Sequence, residues 1–202
     1  MARRLPEDER RAQILAAAKK CFVEKGFAAT RMDDVATTAH LSKGGLYFHF
    51  KSKEELMVAV VRQVNVTVET FLNAAREWRD PIPKQIQRLL TLYFGYLTIH
   101  EDEARLNQCV LDEALRNEVV RDVLHSGEDL FLSHLRSLLA RAQAAGELGA
   151  HVDLDLAIRS CMIVFEGVKT KWLHFRDWPW TKILMQTQRL IIESILELEL
   201  PD

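Results

Sequence analysis

Apolar residues recur every three or four positions along nearly the whole chain, and no segment sustains the two-residue alternation of a half-buried strand. This periodicity predicts an all-α protein of about nine or ten helices, at about 8–25, 31–39, 43–49, 53–79, 84–100, 102–116, 117–125, 128–145, 153–175 and 180–200. Glycine and proline supply the expected breaks: Gly26, Asp80-Pro81-Ile82-Pro83, Gly127, Gly146 with Gly149, and Trp178-Pro179.

The second and third helices are too short to stand alone and must be held by their neighbours. Thr30 and Ser42 stand where N-caps are needed, and Ser52-Lys53-Glu54-Glu55 is a capping box opening a long helix. Two short helices joined by a tight turn and buttressed by a preceding helix form a helix-turn-helix, whose second helix fits a DNA major groove. Val35, Ala36, Ala39, Leu41, Leu46 and Phe50 supply its small core, leaving the remaining positions outward. The reading is a helix-turn-helix DNA-binding domain over residues 1–52, then a larger helical ligand-binding and dimerisation domain over 53–202.

The net charge of −2 hides an asymmetry that suits this division. Residues 1–56 carry 11 Lys and Arg against 8 Asp and Glu, whereas 57–202 carry 16 against 21. A basic front fits a phosphate backbone, and an acidic body would be repelled by it. No apolar run approaches the ~18–20 residues needed to span a bilayer, and the start lacks a secretory signal, so the cytoplasm and no membrane partner are expected. Cys21, Cys109 and Cys161 are odd in number and far apart, which argues against a disulfide framework. The histidines and cysteines show no metal-ligand spacing, and no nucleotide or nucleophile motif appears, so neither metal, cofactor nor catalysis is expected.

The stretch from Thr30 to Leu56, above all Leu41-Ser42-Lys43-Gly44-Gly45-Leu46-Tyr47-Phe48-His49-Phe50-Lys51-Ser52-Lys53-Glu54-Glu55-Leu56, resembles the TetR-family DNA-binding signature. The resemblance covers about residues 8–56; the remainder resembles the family only in length and helical layout. It implies a homodimer, an operator with two half-sites, and derepression by a ligand. Carried over by position, Ser42, Lys43 and Gly44 open the recognition helix, with Lys43 as reader of a guanine edge. Tyr47 would reach a thymine methyl or a phosphate; His49, Lys51, Lys53 and Thr30 would hold the backbone. The paired glycines, Gly44 and Gly45, cost about 1 kcal/mol each in a helix, which close approach to DNA would explain. Gly45 in place of a common threonine and Phe48 without a polar tip imply fewer phosphate contacts, and His40 stands at the usual turn glycine.

In the body, Tyr93, Tyr96, His100, Cys109, Glu113, Glu166 and Trp172 are polar or aromatic groups on otherwise apolar helices, the makings of an effector pocket. Each also has an ordinary core or surface reading. The helices near 153–175 and 180–200 are apolar over more than one stripe, placing a symmetric four-helix dimer contact there, with Leu190, Ile191, Ile195 and Leu198 as contributors. The function read from all this is a sequence-specific repressor on a palindromic operator, released by a small-molecule effector of unknown identity. An activator or constitutive DNA binder fits the same front end, and a helical small-molecule-binding protein or enzyme is the alternative of another class.

Overall fold

The computed structural model describes residues 6–198, the side chains of Phe71 and Leu97 excepted. Its helices are α1 (Glu7–Ala29), α2 (Met32–Thr38), α3 (Lys43–His49), α4 (Lys53–Ala75), α5 (Ile82–Ile99), α6 (Glu101–Ala114), α7 (Glu118–Ala144), α8 (Leu154–His174) and α9 (Trp180–Arg189). A π-helical turn, Leu190–Ile195, continues α9, and the described residues contain no strand. The last two positions of the helix expected over 180–200 lie outside the described residues.

Gly26 interrupts α1 at φ 75°, a conformation that favours glycine, so the break falls where the sequence places it. Gly127 breaks nothing. The expected helices at 117–125 and 128–145 are the single helix α7, because one interior glycine costs a helix only about 1 kcal/mol. Its missing side chain makes room instead: a Cβ there would come within 2.6 Å of the Asn65 amide.

The chain forms two compact units: one from its start to Val68 together with Arg105–Glu128, the other from Glu69–Ala104 together with everything from Asp129 onward. In the first, Ile14, Ala18 and Phe22 of α1 meet Val35, Ala36, Leu46 and Phe50, with Leu56 and Met57 of α4. Leu106, Val110 and Val120 from α6 and α7 complete that core. Burial of each large apolar side chain contributes roughly 1.5–3 kcal/mol, which holds helices as short as α2 and α3 in place. The turn between them closes through the N–H of Leu41 on the Ala36 carbonyl (2.8 Å), while Gln13 of α1 donates to the Ala39 carbonyl (2.9 Å).

His40 occupies that turn at φ 53°. Left-handed backbone costs a non-glycine residue on the order of 1 kcal/mol, less for His than for most. His40→Gly is therefore expected to leave stability unchanged or raise it by up to about 1 kcal/mol, with DNA binding retained. Urea unfolding followed by circular dichroism checks this, and a clear loss of stability would contradict it.

The core of the second unit joins Ile86 and Leu90 of α5, Leu138 and Leu139 of α7, Ile158 and Cys161 of α8, and Ile191, Ile192, Leu196 and Leu198 at the chain's end. This corrects the dimer contact read from sequence. Ile191 and Leu198 are buried in their own chain and Ile195 packs against the same core, leaving only Leu190 of the four exposed. The apolar side chains left uncovered on these helices are Leu156, Ile163, Met185 and Leu190. Periodicity could not separate the two stripes, because Leu and Ile occur in both.

Candidate functional site

Ser42 caps α3, its hydroxyl accepting the N–H of Gly45 at 3.1 Å. With Leu46 and Phe50 turned into the core, Ser42, Lys43 and Gly44 lie exposed, and Gly45, Tyr47 and His49 are half-buried beside them. A Cβ on Gly44 would meet nothing within 4 Å, so no contact inside the chain calls for glycine there. One on Gly45 would stand 3.3 Å from the Ser42 hydroxyl oxygen and crowd the cap. Phe48 is 72% exposed and meets the His49 ring edge-on, centroids 5.1 Å apart.

Lys43 does not project alone. Its ammonium lies 3.0 Å from an Asp33 carboxylate oxygen, a partner on α2 that sequence reasoning missed, and this hydrogen bond holds its pKa above the usual lysine value. Lys25 and Asp34 pair likewise at 2.8 Å; Lys25's pKa is raised and Asp34's lowered by that bond. Lys51 donates to the Tyr47 carbonyl (2.8 Å), stapling the last turn of α3. Ser52 accepts from the Glu55 N–H (3.1 Å), while the Glu55 carboxylate reaches back to the Lys51 N–H (2.6 Å), so the capping box closes one residue earlier than its usual form.

Two residues assigned to phosphate face elsewhere. Thr30 is buried, its hydroxyl directed at the Gly26 and Cys21 carbonyls (2.7 and 3.1 Å), and it is not the cap of α2. That cap is Arg31, whose N–H is taken by Asp34 at 2.8 Å. Lys53 donates to the Phe27 and Ala28 carbonyls (2.6 and 3.3 Å) and rests on the Phe27 ring, tying α4 to the end of α1.

The residues read as an effector site divide between the units. Cys109 and Glu113 belong to the first, where Cys109 packs against the helix-turn-helix core and burial pushes its thiol pKa up. Tyr93 and Trp172 of the second unit pack around Phe94 with Phe165 and Leu184. Burial, aided by the Glu166 carboxylate, raises the Tyr93 phenol far above its usual value. Glu166 accepts from Lys169 at 2.6 Å, and its other oxygen is buried with no hydrogen-bond partner. Lys169, only 3% exposed, was missed by sequence reading; a lysine three residues after a glutamate on an apolar helix was the available signal. Tyr96 and His100 meet at the end of α5 with their rings tilted by 33°, centroids 4.4 Å apart, and both residues exposed.

A three-helix module with a capped, outward recognition helix bearing Lys43 defines a helix-turn-helix DNA-binding protein. Residues 14–60 match the model of the bacterial regulatory proteins, tetR family. The chain is 26% identical over 183 residues to the HTH-type transcriptional regulator TtgR of Pseudomonas putida, covering 88% of this chain and 87% of that one. It is 24% identical over 202 residues to the probable acrEF/envCD operon repressor of Escherichia coli, covering 95% and 87%. The solved SmeT–triclosan complex superposes with a TM-score of 0.78 at 22% identity, over 96% of this chain and 98% of that one. Residues 14–60 thus carry a tetR-family DNA-binding module, and along most of its length the chain is similar to transcriptional regulators. Among its described residues, no helix is long and apolar enough to cross a membrane.

Proposed function

We propose that this regulator is a homodimeric repressor, acting in the cytoplasm on a palindromic operator and released from it by a small-molecule effector bound in the second unit. The observation that carries the reading is the exposed start of α3, where Ser42, Lys43 and Gly44 offer a hydroxyl, a cation and bare backbone to a major groove. Lys43 is the base reader, held beside Asp33 in the free protein. Tyr47, His49 and Lys51 grip the backbone, while Thr30 and Lys53 act indirectly by fixing the C-terminal end of α1.

One helix-turn-helix covers a short half-site, so tight binding calls for two, about 34–36 Å apart. The uncovered row of Leu156, Ile163, Met185 and Leu190 is the face assigned to the second copy. That the E. coli relative is a probable repressor, and that SmeT was solved with triclosan, supports repression relieved by a small molecule. By linkage, operator DNA must weaken effector binding by the factor by which effector weakens operator binding.

The test is a pair of substitutions measured against a selected operator. Lys43→Ala is expected to relax preference at one base position by about 10- to 100-fold. Lys51→Ala is expected to weaken all sequences alike and flatten the salt dependence. Equal losses at every base for Lys43→Ala would remove it as a reader.

A further inference from the structure

His134 of α7 is the most deeply buried histidine among the described residues, 7% exposed, and it closes the end of α4. Its Nε2 lies 2.9 Å from the Leu72 carbonyl oxygen, which can only accept, so Nε2 carries the hydrogen. Nδ1 is then the acceptor and takes one from Arg76 Nη2 at 3.2 Å. Arg76 Nε is also 2.9 Å from Nε2, and with that hydrogen given to Leu72 these two nitrogens face each other as donors. What the pair lacks is an acceptor oxygen.

Beside them is a cavity of about 20 Å³, room for one water-sized atom, walled by Leu72, Leu89 and Leu138 and rimmed by Arg141. Its lining contains two arginines and a histidine and no carboxylate. We propose that this is an oxyanion site, in which one oxygen of a carboxylate or sulfate-like group bridges Arg76 and His134, with Arg141 beside it. The exposed Arg76 and Arg141 side chains have room to open around the group. An attached apolar tail would lie against Leu89 and Leu138. The proposal rests on the reading of the second unit as the effector domain and names the effector's class.

Binding would take up a proton from solvent at Nδ1, turning His134 into a second cationic donor. Burial, with Arg76 and Arg141, holds the free imidazole's pKa below its usual value, opposed by the Leu72 carbonyl and Glu69. Affinity should therefore rise as pH falls, by up to about tenfold per unit while the free group is neutral.

The experiment is calorimetric titration of the full chain with sodium octanoate and with sodium sulfate, at about pH 7.5 and 6.5 and matched ionic strength. One anion per chain should bind, several-fold tighter at the lower pH. Arg76→Gln combined with Arg141→Gln should weaken it at least about tenfold, the scale of a lost charge-assisted contact. His134→Gln should remove the pH dependence while its amide still spans Leu72. Octanoate alone binding identifies a tailed carboxylate; both binding identifies a simple oxyanion. Saturation by neither, indifference to the arginine substitutions, or an unchanged pH profile in His134→Gln overturns the site. Anion binding that leaves operator affinity intact keeps the site and overturns the effector reading; operator release by another ligand, with no anion bound, does the reverse.

Discussion

Phe50→Ala is expected to cost about 3–5 kcal/mol, a large share of the roughly 5–15 kcal/mol typical of a folded domain. Phe50 has no exposed surface, closes α3 against the core of the first unit, and carries the Arg11 guanidinium 4.4 Å above its ring. Truncation leaves a cavity among side chains fixed by α1, α2 and α4, with only the arginine free to relax. All four tryptophans, Trp78, Trp172, Trp178 and Trp180, lie in the second unit. The loss should thus be read by circular dichroism during urea unfolding, with tryptophan fluorescence reporting the other unit. A shift below about 1.5 kcal/mol would mean the site collapses far better than its packing implies.

A matched pair of isoleucines provides the second large effect. Ile191 is 1% exposed and Ile163 is 74% exposed. Ile191→Asp places a carboxylate in the core without a partner and should cost more than about 4 kcal/mol, enough to unfold the second unit or nearly so. Ile163→Asp should change the stability of the isolated chain by less than about 0.5 kcal/mol. If the second copy covers that face, it should also weaken dimerisation and operator binding by about 100-fold or more, the scale of about 3 kcal/mol at an interface hot spot. Sedimentation at micromolar concentration decides the matter: an Ile163→Asp protein that stays dimeric and holds its operator removes this face from the interface.

Features set by a few neighbouring residues were legible in the sequence. Ser42 as a cap, Gly26 as a break, the left-handed turn at His40 and the inward set of Val35, Leu46 and Phe50 all follow from local rules. What failed depends on distant chain. Thr30 is the near case, read as a cap although the Gly26 and Cys21 carbonyls, four and nine positions earlier, take its hydroxyl; the Phe27 and Ala28 carbonyls that hold the Lys53 ammonium lie 26 and 25 positions earlier. Gly127 reads as a break because the reason for a bare Cα, Asn65, lies sixty-two positions earlier. That Cys109 and Glu113 share a unit with the helix-turn-helix, while Tyr93 and Trp172 do not, likewise depends on chain far from any of them. Arg76 and His134 are fifty-eight positions apart, and no local pattern connects them.

The composition of the first unit also bears on grafting. The family match ends at residue 60, an inviting point at which to join this recognition helix to another regulator's sensor. Yet Leu106, Val110, Ala114, Val120 and Val123 belong to the same buried cluster as Phe22 and Leu46. A transplant cut at that point would strip one wall from the module and leave an apolar surface for the recipient to fill with unmatched side chains. Chimeras that carry Arg105–Glu128 along with the recognition helix keep the donor's own wall and should be the ones that fold.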